Sequence, residues 1–324
     1  MLNQGSSTRP LVEIKSVSKY FDLGRGSVLH AVDELSLNIF KGETLGLVGE
    51  SGCGKSTLGR VVVRMYDQTK GELIFDGEPI PNSPSAAQRR KYSRLMQMIF
   101  QDPYQSLNPR MTVGDIIAEG PGIHGLWKPE EKQQKINYWL NRVGMLPEHS
   151  ARFPHEFSGG QRQRIGIARA LALEPKFVVC DEPISALDVS VQAQVVTLLQ
   201  ELQKEMGLTY LFIAHGLSMV RYISNRMAVM YLGKLVEVGP ADELFANPLH
   251  QYTIALIGAN PSPDPHLQRS KPQTLIKGEL TSPVNPSPGC RFVGRCPLAG
   301  DQCHTTTPEL RLIQKDRWVA CHKL

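Results

Sequence analysis

Thr44-Leu45-Gly46-Leu47-Val48 is followed by Gly49-Glu50-Ser51-Gly52-Cys53-Gly54-Lys55-Ser56-Thr57, and then by residues 58–66 with helical character. The order is apolar strand, glycine-rich loop, helix. The loop matches G-x-x-x-x-G-K-[ST], in which glycines let consecutive backbone N–H groups turn inward around phosphate oxygens and the helix N-terminus adds positive dipole. In that setting Lys55 reaches the β- and γ-phosphates and the Ser56 hydroxyl ligates Mg²⁺, so residues 49–57 are expected to bind a nucleotide.

Working outward, Phe177-Val178-Val179-Cys180-Asp181-Glu182 is an apolar strand ending in two acids. In a parallel sheet such a strand puts Asp181 at its carboxyl edge beside the glycine loop, where it can hold a water of the Mg²⁺ shell. Glu182 is then placed to polarise a water attacking the γ-phosphate. Together the two elements describe a P-loop NTPase. Between them lies Phe157-Ser158-Gly159-Gly160-Gln161, followed by a helix expected over 162–173. A second glycine pair at a second helix N-terminus is a second phosphate-binding device. One nucleotide cannot easily use both from one subunit, so two chains facing each other are expected, each completing the other's site.

The 324 residues, 36.0 kDa, leave room for one large domain with an appendage, or for two domains. At 41% hydrophobic and 21% charged, the composition excludes a disordered chain. The net charge of +5 is too mild to announce a nucleic-acid binder by itself. Nine Lys or Arg against five Asp or Glu give residues 260–324 a charge of +4, which leaves +1 for the rest, and seven of the 23 prolines fall between Pro261 and Pro288. A change of kind is therefore expected near residue 260. The polar residues 1–10 lack the apolar stretch of a signal peptide, and the charge-free run near 206–220 is too short and polar to span a bilayer. The expected chain is soluble and able to dock on a membrane protein.

At this point the sequence resembles the ATP-binding subunits of ABC transporters over nearly its whole length. In that family residues 49–57 are the Walker A loop, 157–161 the signature and 180–182 the end of Walker B. Gln101, in Ile99-Phe100-Gln101-Asp102-Pro103, matches the glutamine that contacts Mg²⁺ and the attacking water and senses the permease. Ser185-Ala186-Leu187-Asp188 matches the D-loop that crosses the dimer interface. His215 matches the switch histidine that contacts the γ-phosphate. An aromatic stacking on adenine is expected at Tyr20-Phe21, with Phe21 favoured. Phe157 stands where Leu is usual, and Gly216 where Asp is common, which leaves the orientation of His215 open. The implied catalytic set is Glu182, His215 and Gln101. Mg²⁺ would be held through Ser56, Gln101 and Asp181, and Ser158, Gly159, Gly160, Gln161 and Asp188 would act in trans.

The loop sequence at 49–57, the 100–109 segment and 182–192 are similar to the oligopeptide and dipeptide importer ATPases, of which this chain resembles the second, F-type member of the pair. Cys290, Cys296, Cys303 and Cys321 reproduce the four-cysteine pattern of their C-terminal extension. Cys-x5-Cys-x6-Cys-x17-Cys is not a zinc-finger spacing, but four thiolates in a reducing compartment suit a metal centre. The resemblance implies a 4Fe-4S cluster, with Zn²⁺ and a metal-free tail as alternatives. Cys53 and Cys180 read as packing residues.

The implied fold is α/β: a RecA-like core with an antiparallel β-subdomain and a helical insert over about 104–168, within an ATPase domain at 11–245, followed by a small irregular extension at 246–324. Residues 126–143 are expected to form one amphipathic helix of the insert, and the groove beside Gln101 to receive a short permease helix. The implied partners are a homologous ATPase in a heterodimer, two membrane permeases at the cytoplasmic face of the cell membrane, and indirectly an extracytoplasmic binding protein. The rival readings are an importer ATPase for nickel or another small solute, a soluble non-transport ABC ATPase, and an iron-sulfur redox protein with an ATPase attached. The second lacks the paired cassettes or coiled-coil insert that such proteins usually carry.

Overall fold

A computed structural model of the protein describes residues 9–259 and 281–324. The proline-marked change near residue 260 begins in 260–280, outside the described residues, as does most of the polar N-terminal stretch.

The chain begins with two long antiparallel strands, β1 (Pro10–Asp22) and β2 (Val28–Phe40), and then enters the core through β3 (Thr44–Val48), the glycine loop and α1 (Lys55–Val62). It leaves again for β4 (Lys70–Phe75) and β5 (Glu78–Ile80), which join the first pair in a four-stranded antiparallel sheet of order β2-β1-β4-β5. Helix α2 (Ala86–Leu95) leads to β6 (Met96–Ile99). The insert follows, with α3 (Pro103–Ser106), α4 (Val113–His124), α5 (Lys132–Arg142) and α6 (Gly159–Leu171). The helix expected over 126–143 begins only at Lys132. Pro129 forces Lys128 into extended backbone and opens a single 3₁₀ turn over Pro129–Glu131 instead.

The chain returns through β7 (Phe177–Asp181), α7 (Val189–Met206), β8 (Thr209–Ile213), α8 (Leu217–Ile223), β9 (Arg226–Tyr231) and β10 (Lys234–Pro240). Strands β9, β3, β8, β7 and β6 pair in parallel in that order. Every residue of β3, β7 and β8 is buried, as a parallel sheet covered on both faces requires. The pleat divides them between two cores. Val178, Cys180, Tyr210 and Phe212 face the helical insert, whereas Phe177, Val179, Leu211 and Ile213 face α1 and the antiparallel sheet.

The C-terminal extension is less irregular than its sequence suggests. After α9 (Ala241–Ala246) and α10 (Gln251–Gly258), the described chain resumes at residue 281 and adds α11 (Asp301–Thr305), β11 (Arg311–Gln314) and β12 (Arg317–Val319). Strand β12 pairs antiparallel with β10, so the main sheet runs β11-β12-β10-β9-β3-β8-β7-β6. Buried Arg317 of β12 forms an ion pair with Glu237 of β10, which also accepts the backbone N–H groups of Leu249 (3.0 Å) and His250 (2.9 Å). A fully buried carboxylate is tolerated only when paired and hydrogen-bonded in this way.

Candidate active site

The cleft of about 270 Å³ at the carboxyl end of β3 is lined by Ser51, Gly52, Cys53, Gly54, Lys55, Ser56 and Thr57, with Gln101, Glu182 and His215 across from them. Gly54 caps α1 in the left-handed region at φ +106°, and a Cβ there would lie 2.0 Å from the carbonyl oxygen of Ala31, so only glycine fits. Lys55 is buried, its Nζ donating to the carbonyls of Gly49 and Glu50 at 2.9 Å each. Cys53 fills a buried slot behind the loop.

Two carboxylates stand at the end of β7. Asp181 accepts the Ser56 hydroxyl at 2.7 Å. Burial raises its carboxyl above the ordinary value, opposed by the Ser56 hydrogen bond and by the nearby cations Arg60 and Lys55. Glu182 takes a left-handed backbone conformation, φ +48°, at the end of the strand, and its N–H donates to the carbonyl of Ile213. Such a conformation is unfavourable for a non-glycine residue and marks a constrained position. Its Oε2 accepts Gln101 Nε2 at 2.7 Å and its Oε1 lies 2.7 Å from His215 Nε2. Three residues from three separate segments thus meet at one carboxylate. Gly216 forms the N-cap of α8 without any side-chain bond, and His215 is oriented by Glu182 instead.

The signature residues lie elsewhere. Ser158 caps α6 by accepting the Gln161 N–H, while the Gln161 side chain accepts the Ser158 N–H at 3.0 Å, a reciprocal box that fixes the helix start. Gly160 packs against α7, where a Cβ would come within 2.5 Å of Val191. Asp188 has a local task as the cap of α7, accepting from Val191 N–H and the Ser190 hydroxyl, and those bonds lower its carboxyl pKa. None of these residues lines the cleft of its own chain, whereas Val189, next to Asp188, is 80% exposed.

The aromatic pair divides cleanly. Phe21 lines the cleft with its ring edge-on to Tyr66. Tyr20 is not among the lining residues: it stacks on His30 at 4.1 Å and donates its hydroxyl to Asp33 at 2.5 Å. Local sequence carried no signal for the rest of the wall, formed by Leu29, His30, Ala31, Leu232, Gly233 and Pro283. They come in from distant segments, as where the Gly233 N–H, in the turn between β9 and β10, donates to the carbonyl of Cys53 in the phosphate loop. A second hollow of about 800 Å³ opens beside Gln101, between Phe100, Gln105 and Ser106 on one side and Arg60 and Ser185 on the other.

The four extension cysteines are free thiols. Burial pushes Cys290 up to about 11, and the charges of Cys303, Cys296 and Cys321 add to the rise; burial, then Cys321 and Cys303, raise Cys296. The four are therefore within electrostatic reach of one another. Among the described residues no three His, Cys, Asp or Glu side chains are gathered into a group able to hold a single metal ion.

The family model for ABC transporters matches residues 32–185, and the model for the C-terminal region of oligopeptide/dipeptide transporters matches residues 236–303. The oligopeptide transport ATP-binding protein OppF of Bacillus subtilis is 62% identical over 265 residues, 82% of this chain and 87% of its own. AppF of the same organism, also described as an oligopeptide transport ATP-binding protein, is 48% identical over 318 residues, 96% of this chain and 97% of its own. A solved dimer of an ATP-binding cassette in a post-hydrolysis state, bound to ADP and Pi, aligns with a TM-score of 0.65 at 27% identity, covering 71% of this chain and 98% of that one.

Proposed function

The chain belongs to the ATP-binding subunits of ABC-type oligopeptide/dipeptide transporters, and from that premise we propose how its residues carry out ATP hydrolysis and drive peptide import. The observation that carries the reading is the Glu182 carboxylate, held between Gln101 and His215 one residue beyond the Asp181 that meets Ser56 of the phosphate loop. Residues 49–57 cradle the phosphates, Lys55 turns from the loop carbonyls to the β- and γ-phosphates, and Phe21 stacks on adenine. Glu182 orients the attacking water, His215 reads the γ-phosphate, and Gln101 links the two to the permease side.

Mg²⁺, when bound, would supply positive charge to offset the charge that develops on the transferred phosphoryl group. The hydroxyl of Ser56 and the carboxylate of Asp181 are hard oxygen donors suited to it, and Gln101 gives its amide nitrogen to Glu182, which leaves its carbonyl oxygen for the cation. Ser158, Gly159, Gly160, Gln161 and Asp188 serve the nucleotide of a second, homologous ATPase subunit, a reading favoured by their position outside their own cleft. Closure of this pair around two ATP molecules drives two permeases, and a short permease helix docks in the hollow beside Gln101. ATP does work on the permeases because it binds the closed pair better than the open one. No helix among the described residues is long and apolar enough to cross a membrane, and the subunit sits on the cytoplasmic face as a peripheral protein. An extracytoplasmic binding protein delivers the peptide.

We assign residues 11–245 to the ATPase unit, with the insert at about 104–168, and 246–324 to the extension. Its four cysteines hold a structural 4Fe-4S cluster. Four soft thiols whose charges reach one another are the ligand type that such a cluster takes, and Zn²⁺ is the alternative. The test is purification of the assembled transporter under anaerobic conditions, with ATP hydrolysis measured with and without peptide-loaded binding protein. Peptide stimulation together with iron and sulfide in the preparation is expected. Hydrolysis indifferent to peptide would overturn the import reading, and zinc without sulfide would overturn the cluster.

A further inference from the structure

Cys290-Arg291-Phe292-Val293-Gly294-Arg295-Cys296 closes a loop between two of the four extension thiols, and its three largest side chains all reach the ATPase unit. Arg291 meets Asp33 of β2 at 2.6 Å. Phe292 is buried against Tyr231 and Tyr252, with ring centroids at 5.3 and 5.5 Å. Arg295 forks onto Glu50, Nη1 to Oε2 at 2.9 Å and Nη2 to Oε1 at 3.1 Å, and also reaches the Tyr231 hydroxyl at 3.2 Å.

Glu50 is the second residue of the phosphate loop, and every polar group it has is engaged. Its N–H donates to the Tyr252 hydroxyl at 2.8 Å, its carbonyl accepts Lys55 Nζ, and its carboxylate takes the Arg295 fork. Two of those three partners belong to the extension. The fork is largely shielded, with side-chain exposures of 10% for Arg295 and 25% for Glu50, so water screens it less than a surface pair. It also cancels a negative charge inside a loop that must receive a polyphosphate. Without Arg295, the Glu50 carboxylate would repel the nucleotide and the loop would lose one of its three ties.

We propose that the Cys290–Cys296 loop positions the nucleotide site, with Arg295 holding the phosphate loop through Glu50, so that nucleotide affinity depends on the seating of the extension. The inference rests on residues 49–57 being the nucleotide loop. The test is calorimetric titration of the full chain with Mg²⁺ and adenylyl imidodiphosphate, with the unfolding midpoint of each preparation recorded beside it. Arg295→Ala is expected to bind about tenfold more weakly, Arg295→Lys to fall between, and exposed Lys315→Ala to bind as the unaltered chain does. Glu50→Gln combined with Arg295→Ala should bind more tightly than Arg295→Ala alone, because the orphaned anion is gone. Simple loss of the tie would leave the double variant binding no more tightly than Arg295→Ala.

Unaltered affinity in Arg295→Ala, or a double variant that binds no more tightly than Arg295→Ala, overturns the proposal. If Arg295→Ala does not fold, Arg295→Lys decides, with unaltered affinity again the overturning result. Failure of the unaltered chain to bind would sink the nucleotide reading itself, a result distinct from either.

Discussion

Glu182 collects more of the chemistry than any other residue. Its carboxylate is contacted from both sides at 2.7 Å, and its backbone is held in a left-handed conformation. Glu182→Gln keeps the size and one acceptor but removes the charge that would polarise water. Hydrolysis by the assembled transporter is expected to fall by about 10²–10³-fold, while Mg·ATP binding persists and the closed dimer accumulates, read by phosphate release and by size-exclusion chromatography. Near-normal turnover would count against the role. At this scale the sequence was informative wherever chemistry dictates residue type at fixed spacing, as in residues 49–57 or Asp181-Glu182. It was silent on local structural tasks. Asp188 caps α7, and the preference for Phe21 over Tyr20 could not draw on the distant partners His30 and Asp33 that engage the Tyr20 ring.

Helix starts illustrate how far local rules reach. Ser158 and Gln161 form a reciprocal cap that four residues of sequence suffice to specify, whereas the start of α5 depends on Pro129 interrupting an otherwise helical pattern. Helix α10 starts on His250, whose Nδ1 accepts the Tyr252 N–H at 3.1 Å. Burial lowers His250 from its ordinary 6.5 to about 4. The folded chain therefore keeps this ring neutral where the unfolded chain would protonate it. Its contribution to stability is complete above the ordinary value and is lost as pH falls from 6.5 towards 4, with a slope of at most about 1.4 kcal/mol per pH unit. His250→Asn, which retains a cap acceptor, should flatten that part of the profile of urea unfolding midpoint against pH. An unchanged slope would show that other groups set it.

For the molecule as a whole, the parallel core and the helical insert were readable from apolar strands and phosphate-binding turns, and the seating of the extension was not. Residues 311–319 look unremarkable in sequence. They become strands because β10 offers an edge and Glu237 a buried charge that Arg317 neutralises. Arg317→Ala leaves that carboxylate buried with its backbone donors only and should cost about 3–5 kcal/mol, seen in urea unfolding and in faster proteolysis of the extension. A loss below about 1 kcal/mol would mean that water reaches Glu237 once the arginine is gone.

The same pairing bears on how the protein is made. Arg317 follows Glu237 by 80 residues, so during synthesis β10 is finished long before its neighbour exists. A contact of such long range closes late. Until residue 317 has emerged from the ribosome, the nascent chain carries an open strand edge with a half-satisfied acid at its centre, the surface on which a holding chaperone would act.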